Sequence, residues 1–194
     1  MNMKLNILYP VILTVPTKIV DLTMPKRVKG ISQLSRETVF ISAYLNNLQI
    51  RHLKQAPTGM PEPDNDVYWS VSHKPKYVCG VASNRKIGID IEEMRPQQKS
   101  MYAYVASDDE WGVMNDAPSK RAFFRCWTAK EAVLKAVGTG ISDLLKCRVI
   151  EDLGEPGLLL DYHDRLWRIE HFYLNHHIAA IIHDDDIDIQ WQVI

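Results

Sequence analysis

Residues 78–92, VCGVASNRKIGIDIE, and residues 178–192, IAAIIHDDDIDIQWQ, superpose without a gap under a shift of 100. Each reads as an apolar strand, a polar turn and a second, alternating strand. Val78 falls on Ile178, Val81 on Ile181, Ile87 on Ile187 and Ile89 on Ile189. If the match is a duplication it predicts two lobes of like design; a match this short also arises by chance. The copies differ where it matters chemically. Asp90 and Glu92 of the first correspond to Gln190 and Gln192 of the second. If the duplication is real, the hairpin can be built with amides and does not need those carboxylates for folding, so they would serve chemistry.

The rest of the chain fits an α+β design. LNILYPVILTVP reads as a buried first strand, not as a leader sequence: Pro10 and Pro16 flank it, Lys4 is the one preceding charge, and no A-x-A site follows. A basic loop, MPKRVKG, precedes a long amphipathic helix expected from about Ser32 to Leu53, with Leu34, Ile41, Leu45 and Leu48 on its apolar face. After the Pro-rich QAPTGMPEPDND come strands VYWSVS, YVCGVAS and KIGIDIE, the last two joined by a tight turn at NRK. EMRPQQKS is the expected seam, giving lobes 1–96 and 97–194. Ser107 and Glu110 form a capping box for a short helix. A second helix runs from a Ser119 cap to a Gly138 stop, followed by five strands.

Charge narrows the partners. With 23 Lys+Arg against 24 Asp+Glu, the net charge of −1 offers no electrostatic case for nucleic acid or an anionic membrane. Three cysteines without a C-x-x-C suit a reducing cytosol. No apolar run is long enough to span a bilayer.

Asp90 and Glu92, two apart on one strand face, supply half of a hard-cation site, since Mg²⁺ takes oxygen ligands from carboxylates, water and substrate phosphates. Glu131 in WTAKEAVLK is the candidate third carboxylate. On that helix Phe123, Trp127, Leu134 and Val137 form the expected buried stripe, with Thr128, Glu131 and Lys135 on a line beside it. Plainer readings exist for each feature. An i, i+4 Glu–Lys pair is the commonest solvated helix contact, contributing only about 0.3–0.5 kcal/mol, and D-x-E on a strand is often a solvent face. HHIAAIIH lacks zinc-ligand spacing and reads as a late strand, HDDD as a polar hairpin turn, and Cys126 as packing.

The order of the motifs is more specific than any one of them: Ser72-His73, then G-I-D-I-E, then W-x-x-K-E-x-x-x-K. Together they resemble the 4′-phosphopantetheinyl transferases of the surfactin-synthetase-activating type, over most of the chain. The resemblance implies two pseudosymmetric α+β lobes with the active site between them. It implies a monomeric, cytoplasmic enzyme that moves the phosphopantetheine arm of coenzyme A to a serine of an apo acyl or peptidyl carrier protein, releasing 3′,5′-ADP. By this resemblance Asp90, Glu92 and Glu131 hold Mg²⁺, Glu131 takes the serine proton, and Lys135 stabilises charge on phosphate and leaving oxygen. Ser72 and His73 contact coenzyme A phosphates, with His73 counted in the catalytic set. Lys26, Lys29 and Arg36 supply charge for the adenosine 3′-phosphate, and Lys130 a further phosphate contact. One departure is visible: the family often has G-K-P before the Ser-His strand, and here Gly59-Met60-Pro61 stands.

Two rivals belong to other classes. A Mg²⁺-dependent nuclease commonly places a lysine two residues after its second strand carboxylate, where this chain has Met94. A coenzyme A or carrier-binding module without turnover would not need the acid triad and both helix lysines.

Overall fold

The computed structural model describes residues 6–114 and 118–194; Lys4 and the first residue of the expected opening strand, Leu5, lie outside them. The chain divides into two compact units, one formed by residues up to Ile87 together with Asp186–Ile194, the other by Gly88–Asp185. The seam expected at residue 96 therefore differs from the observed division. The G-I-D-I-E strand belongs to the second unit.

In the first unit the opening apolar run makes two strands, β1 (Asn6–Leu8) and β2 (Val11–Thr14). The break at Tyr9-Pro10 is held from both sides: Ser42 Oγ donates to the Tyr9 carbonyl at 2.6 Å, and Tyr9 N–H donates to Asn46 Oδ1 at 3.1 Å. A single turn, α1 (Thr17–Val20), leads to α2 (Met24–Leu45). The segment expected as a basic loop is thus helical, because Thr23 precedes it and Pro25 sits in the first turn, where a missing N–H costs nothing. The helix also stops eight residues earlier than expected. Asn46 caps it, Asn47 turns left-handed at φ 54°, and Leu48 N–H returns to the Ala43 carbonyl at 2.8 Å.

The buried face of α2 is small and polar: Ile31, Ser35, Thr38, Val39, Ser42 and Ala43. The leucines picked from periodicity are only half-buried. The cause is close approach, since a Cβ on Gly80 of strand β4 (Tyr77–Ser83) would overlap Thr38 Oγ1. Strand β3 (Tyr68–His73) pairs with β4, β4 with β2, and a short C-terminal strand, named below, with β2 in parallel.

The second unit opens with β5 (Ile89–Glu93), which does not form the expected hairpin with β4. After α3 (Lys99–Val105) and α4 (Asp108–Val113), helix α5 runs Lys120–Val137, with Ser119 Oγ accepting from Ala122 N at 3.0 Å and Gly138 closing at φ 86°. Strands β6 (Arg148–Asp152), β7 (Gly157–Tyr162), β8 (Arg165–Leu174) and β9 (His177–His183) complete an antiparallel sheet in the order β5-β9-β8-β7-β6. The bounds of β9 are those of β4 plus 100, as the sequence echo expects. The chain then returns to the first unit as β10 (Ile187–Ile189), parallel to β1, and β11 (Gln192–Val193), parallel to β2. The α+β class holds, with these two parallel pairings added.

Helix α5 packs on β5, β8 and β9. Its far side is anchored by buried Arg125, which makes a forked ion pair with Asp152 (2.8 and 3.2 Å) and donates to the Gly154 and Gly157 carbonyls. The HDDD segment does not close the expected hairpin but forms a polar crossing, since β9 pairs with β5 and β8 and β10 with β1. Its aspartates pair in turn with Arg165, Arg168 and Arg85.

Candidate functional site

Strand alternation splits β5 cleanly. Ile89 and Ile91, both fully buried, lie on one face; Asp90 and Glu92 lie on the other, opposite Ala180 and Ile178 of β9 and towards α5. Asp90 is 4% exposed, which rules out the solvent-face reading of D-x-E. Its Oδ1 accepts from Lys135 Nζ at 2.7 Å, and the same ammonium donates to the Ile89 carbonyl at 3.1 Å. Glu92 Oε1 accepts from Trp127 Nε1 at 3.1 Å. Residues 127, 131 and 135 recur every four positions and so share one line on the helix surface. Glu131, half-buried, therefore stands between the two contacts that tie α5 to the strand carboxylates.

Gly88 sets how near this line comes to the strand. A Cβ there would overlap the Ala132 carbonyl oxygen, a backbone atom that can move only with the helix. The absence of a side chain at Gly88 leaves room for α5.

Two side chains exchange the places expected for them. Thr128 is fully buried, with Oγ1 donating to the Phe124 carbonyl at 2.7 Å. Trp127 is half-buried and joins the Glu131–Lys135 line. The period of 3.6 allows either assignment, and packing against the sheet selects between them.

Lys130 departs further from expectation. It is 0% exposed, 2.7 Å from Glu110 Oε1, and it donates to the Val105 carbonyl at 2.8 Å. Glu110 also accepts from Ser107 N–H in the capping box and from Val149 N–H at 2.9 Å. This ammonium offers no surface to a phosphate. It fixes the helix bearing Glu131 to α3, α4 and β6, a role the W-x-x-K-E pattern did not disclose. The capping-box glutamate was its only sequence trace.

The remaining expected residues lie in the first unit. His73 ends β3 at its turn into β4 and is exposed, with Ser72 just buried beside it. Lys26 and Lys29 are exposed on the first turns of α2. Arg36 is engaged locally: it donates to the Leu53 carbonyl and to Gln55 Oε1, and lies 5.8 Å over the Trp69 ring. That use ties the Gln55 loop to α2 and competes with an anion-binding role.

Elsewhere, Cys126 is buried and its thiol pushed up to about 12 by desolvation, so it packs and does not react. His171 is buried, hydrogen-bonded through Nε2 to the Arg125 carbonyl, and not a zinc ligand candidate. No helix among the described residues is long and apolar enough to cross a membrane.

Among the described residues, no group of three His, Cys, Asp or Glu side chains is gathered at metal-holding distance. Mg²⁺ is nevertheless commonly held by one or two carboxylates plus water and substrate phosphates. The donor types on β5 and α5 fit a cation shared with a bound diphosphate and do not make an all-protein cage.

Carboxylates beside lysine on a packed strand and helix have the chemistry of a site for charged phosphate groups. Residues 86–182, the segment that spans both elements, match the 4′-phosphopantetheinyl transferase superfamily, and the chain belongs to it. It is 34% identical over 103 residues to the 4′-phosphopantetheinyl transferase psf-1 of Bacillus pumilus, covering 50% of this chain and 44% of that protein. It is 32% identical over 102 residues to the 4′-phosphopantetheinyl transferase HetI of a Nostoc species (50% and 43%). With the transferase ffp of Bacillus subtilis it shares 29% over 129 residues (61% and 56%). The chain spans about half the length of the curated relatives it matches.

Proposed function

We propose that this protein transfers the 4′-phosphopantetheine arm of coenzyme A to a serine of an apo acyl or peptidyl carrier protein. The serine oxygen forms a bond to the phosphorus that bears the pantetheine arm. The bond from that phosphorus to the bridging oxygen breaks, 3′,5′-ADP leaves with the electron pair, and the serine proton passes to a protein base. The observation that supports this best is the Asp90–Lys135 contact beside Glu92 and Glu131, inside the segment that matches the family.

In this reading Glu131 is the base, on a helix held rigid by Lys130 and Arg125. Lys135 stabilises charge on the phosphate under attack and on the departing oxygen. Asp90, Glu92 and Glu131 are the residues that would hold Mg²⁺, which supplies charge neutralisation on the diphosphate. With Asp90 among the residues that would hold the cation, the Lys135 ammonium would be available to the phosphate. Ser72, His73, Lys26 and Lys29 are proposed as contacts for the coenzyme's phosphates. The protein acts in the cytoplasm as a monomer, with neither nucleic acid nor membrane as a partner.

The test follows 3′,5′-ADP by chromatography. Release is expected only when coenzyme A, Mg²⁺ and an apo carrier are all present, and roughly 100-fold or more slower in Glu131→Gln. Release without a carrier, or equal release by Glu131→Gln, contradicts the assignment. Coenzyme A binding without release, across a broad carrier panel, favours a binding module.

A further inference from the structure

We propose that Trp127 is a positioning residue for Glu92, its indole N–H holding that carboxylate in the orientation in which it meets a divalent cation. The inference rests on the Mg²⁺ reading above and adds to it a residue with no metal-binding atom of its own.

Three observations carry it. The indole nitrogen can only donate, and its donor is directed to Glu92 Oε1 at 3.1 Å. The ring is braced by its neighbours. It stacks on Phe123 at 6.2 Å and 11°, while Phe123 meets Phe124 edge-on at 5.1 Å and Tyr102 at 5.0 Å. Tyr102 in turn packs on Trp111 at 5.7 Å, so the indole is the outermost ring of an aromatic array rooted in α3, α4 and α5. Finally, the two strand carboxylates are treated alike. Lys135 grips Asp90 and Trp127 grips Glu92, from one helix line and eight residues apart.

The donors differ in what they do to charge. Lys135 brings a positive charge to Asp90, whereas the Trp127 indole brings none to Glu92 and fixes its direction. A long side chain with three rotatable bonds loses substantial entropy on binding a cation. An indole that has already selected its rotamer removes much of that cost, as outer partners of metal ligands generally do.

The test uses the full chain, with Mg²⁺ titrated by calorimetry alone and in the presence of coenzyme A. Trp127→Phe keeps the stacked ring and loses the N–H; it is expected to weaken Mg²⁺ binding by about 10-fold with little change in melting temperature. Trp127→His, which restores a ring N–H, is expected to recover part of the loss. Trp127→Phe binding Mg²⁺ like the wild type while Glu92→Gln loses it overturns the positioning role and leaves the metal reading standing. Equal binding by Glu92→Gln, or no Mg²⁺ binding by the wild type, overturns both. Should the variants fail to fold, the wild type decides: among its five indole N–H resonances, that of Trp127 must move on adding Mg²⁺, and a resonance that stays fixed overturns the proposal.

Discussion

Lys135 Nζ sits 2.7 Å from Asp90 Oδ1 and joins the last turns of α5 to the middle of β5, with Asp90 almost fully buried and Lys135 about a quarter exposed. The carboxylate has left water for a cationic partner, so the pair is both a structural tie and a store of charge at the site.

Replacing that lysine separates the two uses. Lys135→Ala removes this ammonium from the buried Asp90 and is expected to destabilise the fold by roughly 1–3 kcal/mol, with turnover lost as well. Lys135→Arg keeps the charge but not the compact ammonium geometry. It should restore most of the stability and little of the rate, as read by denaturant melts beside steady-state kinetics. Equal recovery of both would make the contact purely structural.

Lys130 predicts a different pattern. Lys130→Met strands Glu110 in the interior, at a cost of about 3–5 kcal/mol, and urea melts should show it at once. The double variant Lys130→Met with Glu110→Gln removes the buried charge and should regain a good part of that loss. If Lys130→Met instead folds normally and only raises the KM for coenzyme A, Lys130 is a phosphate contact after all.

Gly88→Ala tests the close approach of strand and helix. The added methyl meets the Ala132 carbonyl oxygen and cannot be relieved by a rotamer change. A loss of roughly 1–3 kcal/mol is expected, with turnover falling because α5 carries Glu131. A variant as stable as the parent would show that the contact is slack.

His171 gives the fold an acid-sensitive element. Burial depresses its pKa from an ordinary 6.5 to about 3, although the Arg125 carbonyl favours the protonated form. The unfolded chain then binds a proton between those values that the folded chain refuses. This stability is complete above about pH 6.5 and declines as pH falls towards 3, by at most about 1.4 kcal/mol per pH unit. Melts at pH 7 and pH 5 should differ less in His171→Gln than in the parent; an unchanged difference assigns the acid sensitivity to other groups.

Much of this was legible in the sequence because it is local. The Ser119 cap, the Gly138 stop and the Ser107–Glu110 box are set by residues within a few positions of one another, and all three stand in the structure. The strand alternation of Ile89 to Glu92 was equally plain, as was the pairing of Glu131 with Lys135 on one helix line. What periodicity could not supply was the partner of each face. KIGIDIE reads as the second arm of a hairpin, yet β5 pairs with β9, nearly a hundred residues on. Lys130 looks like a surface lysine until Glu110 is brought to it, and Trp127 looks like core until Glu92 is. The buried face of α2 differs from its periodic apolar face because Gly80 allows an approach that only small side chains can fill. In each case long-range packing chose among alternatives the local pattern had left equal.

The most direct measurement is intact-protein mass spectrometry of apo acyl and peptidyl carrier proteins, each incubated with this chain, coenzyme A and Mg²⁺. The account predicts a mass gain of one phosphopantetheine arm on a carrier serine, abolished by EDTA and by Glu131→Gln. Carriers that stay unmodified throughout, with the protein folded and coenzyme A present in excess, would contradict it.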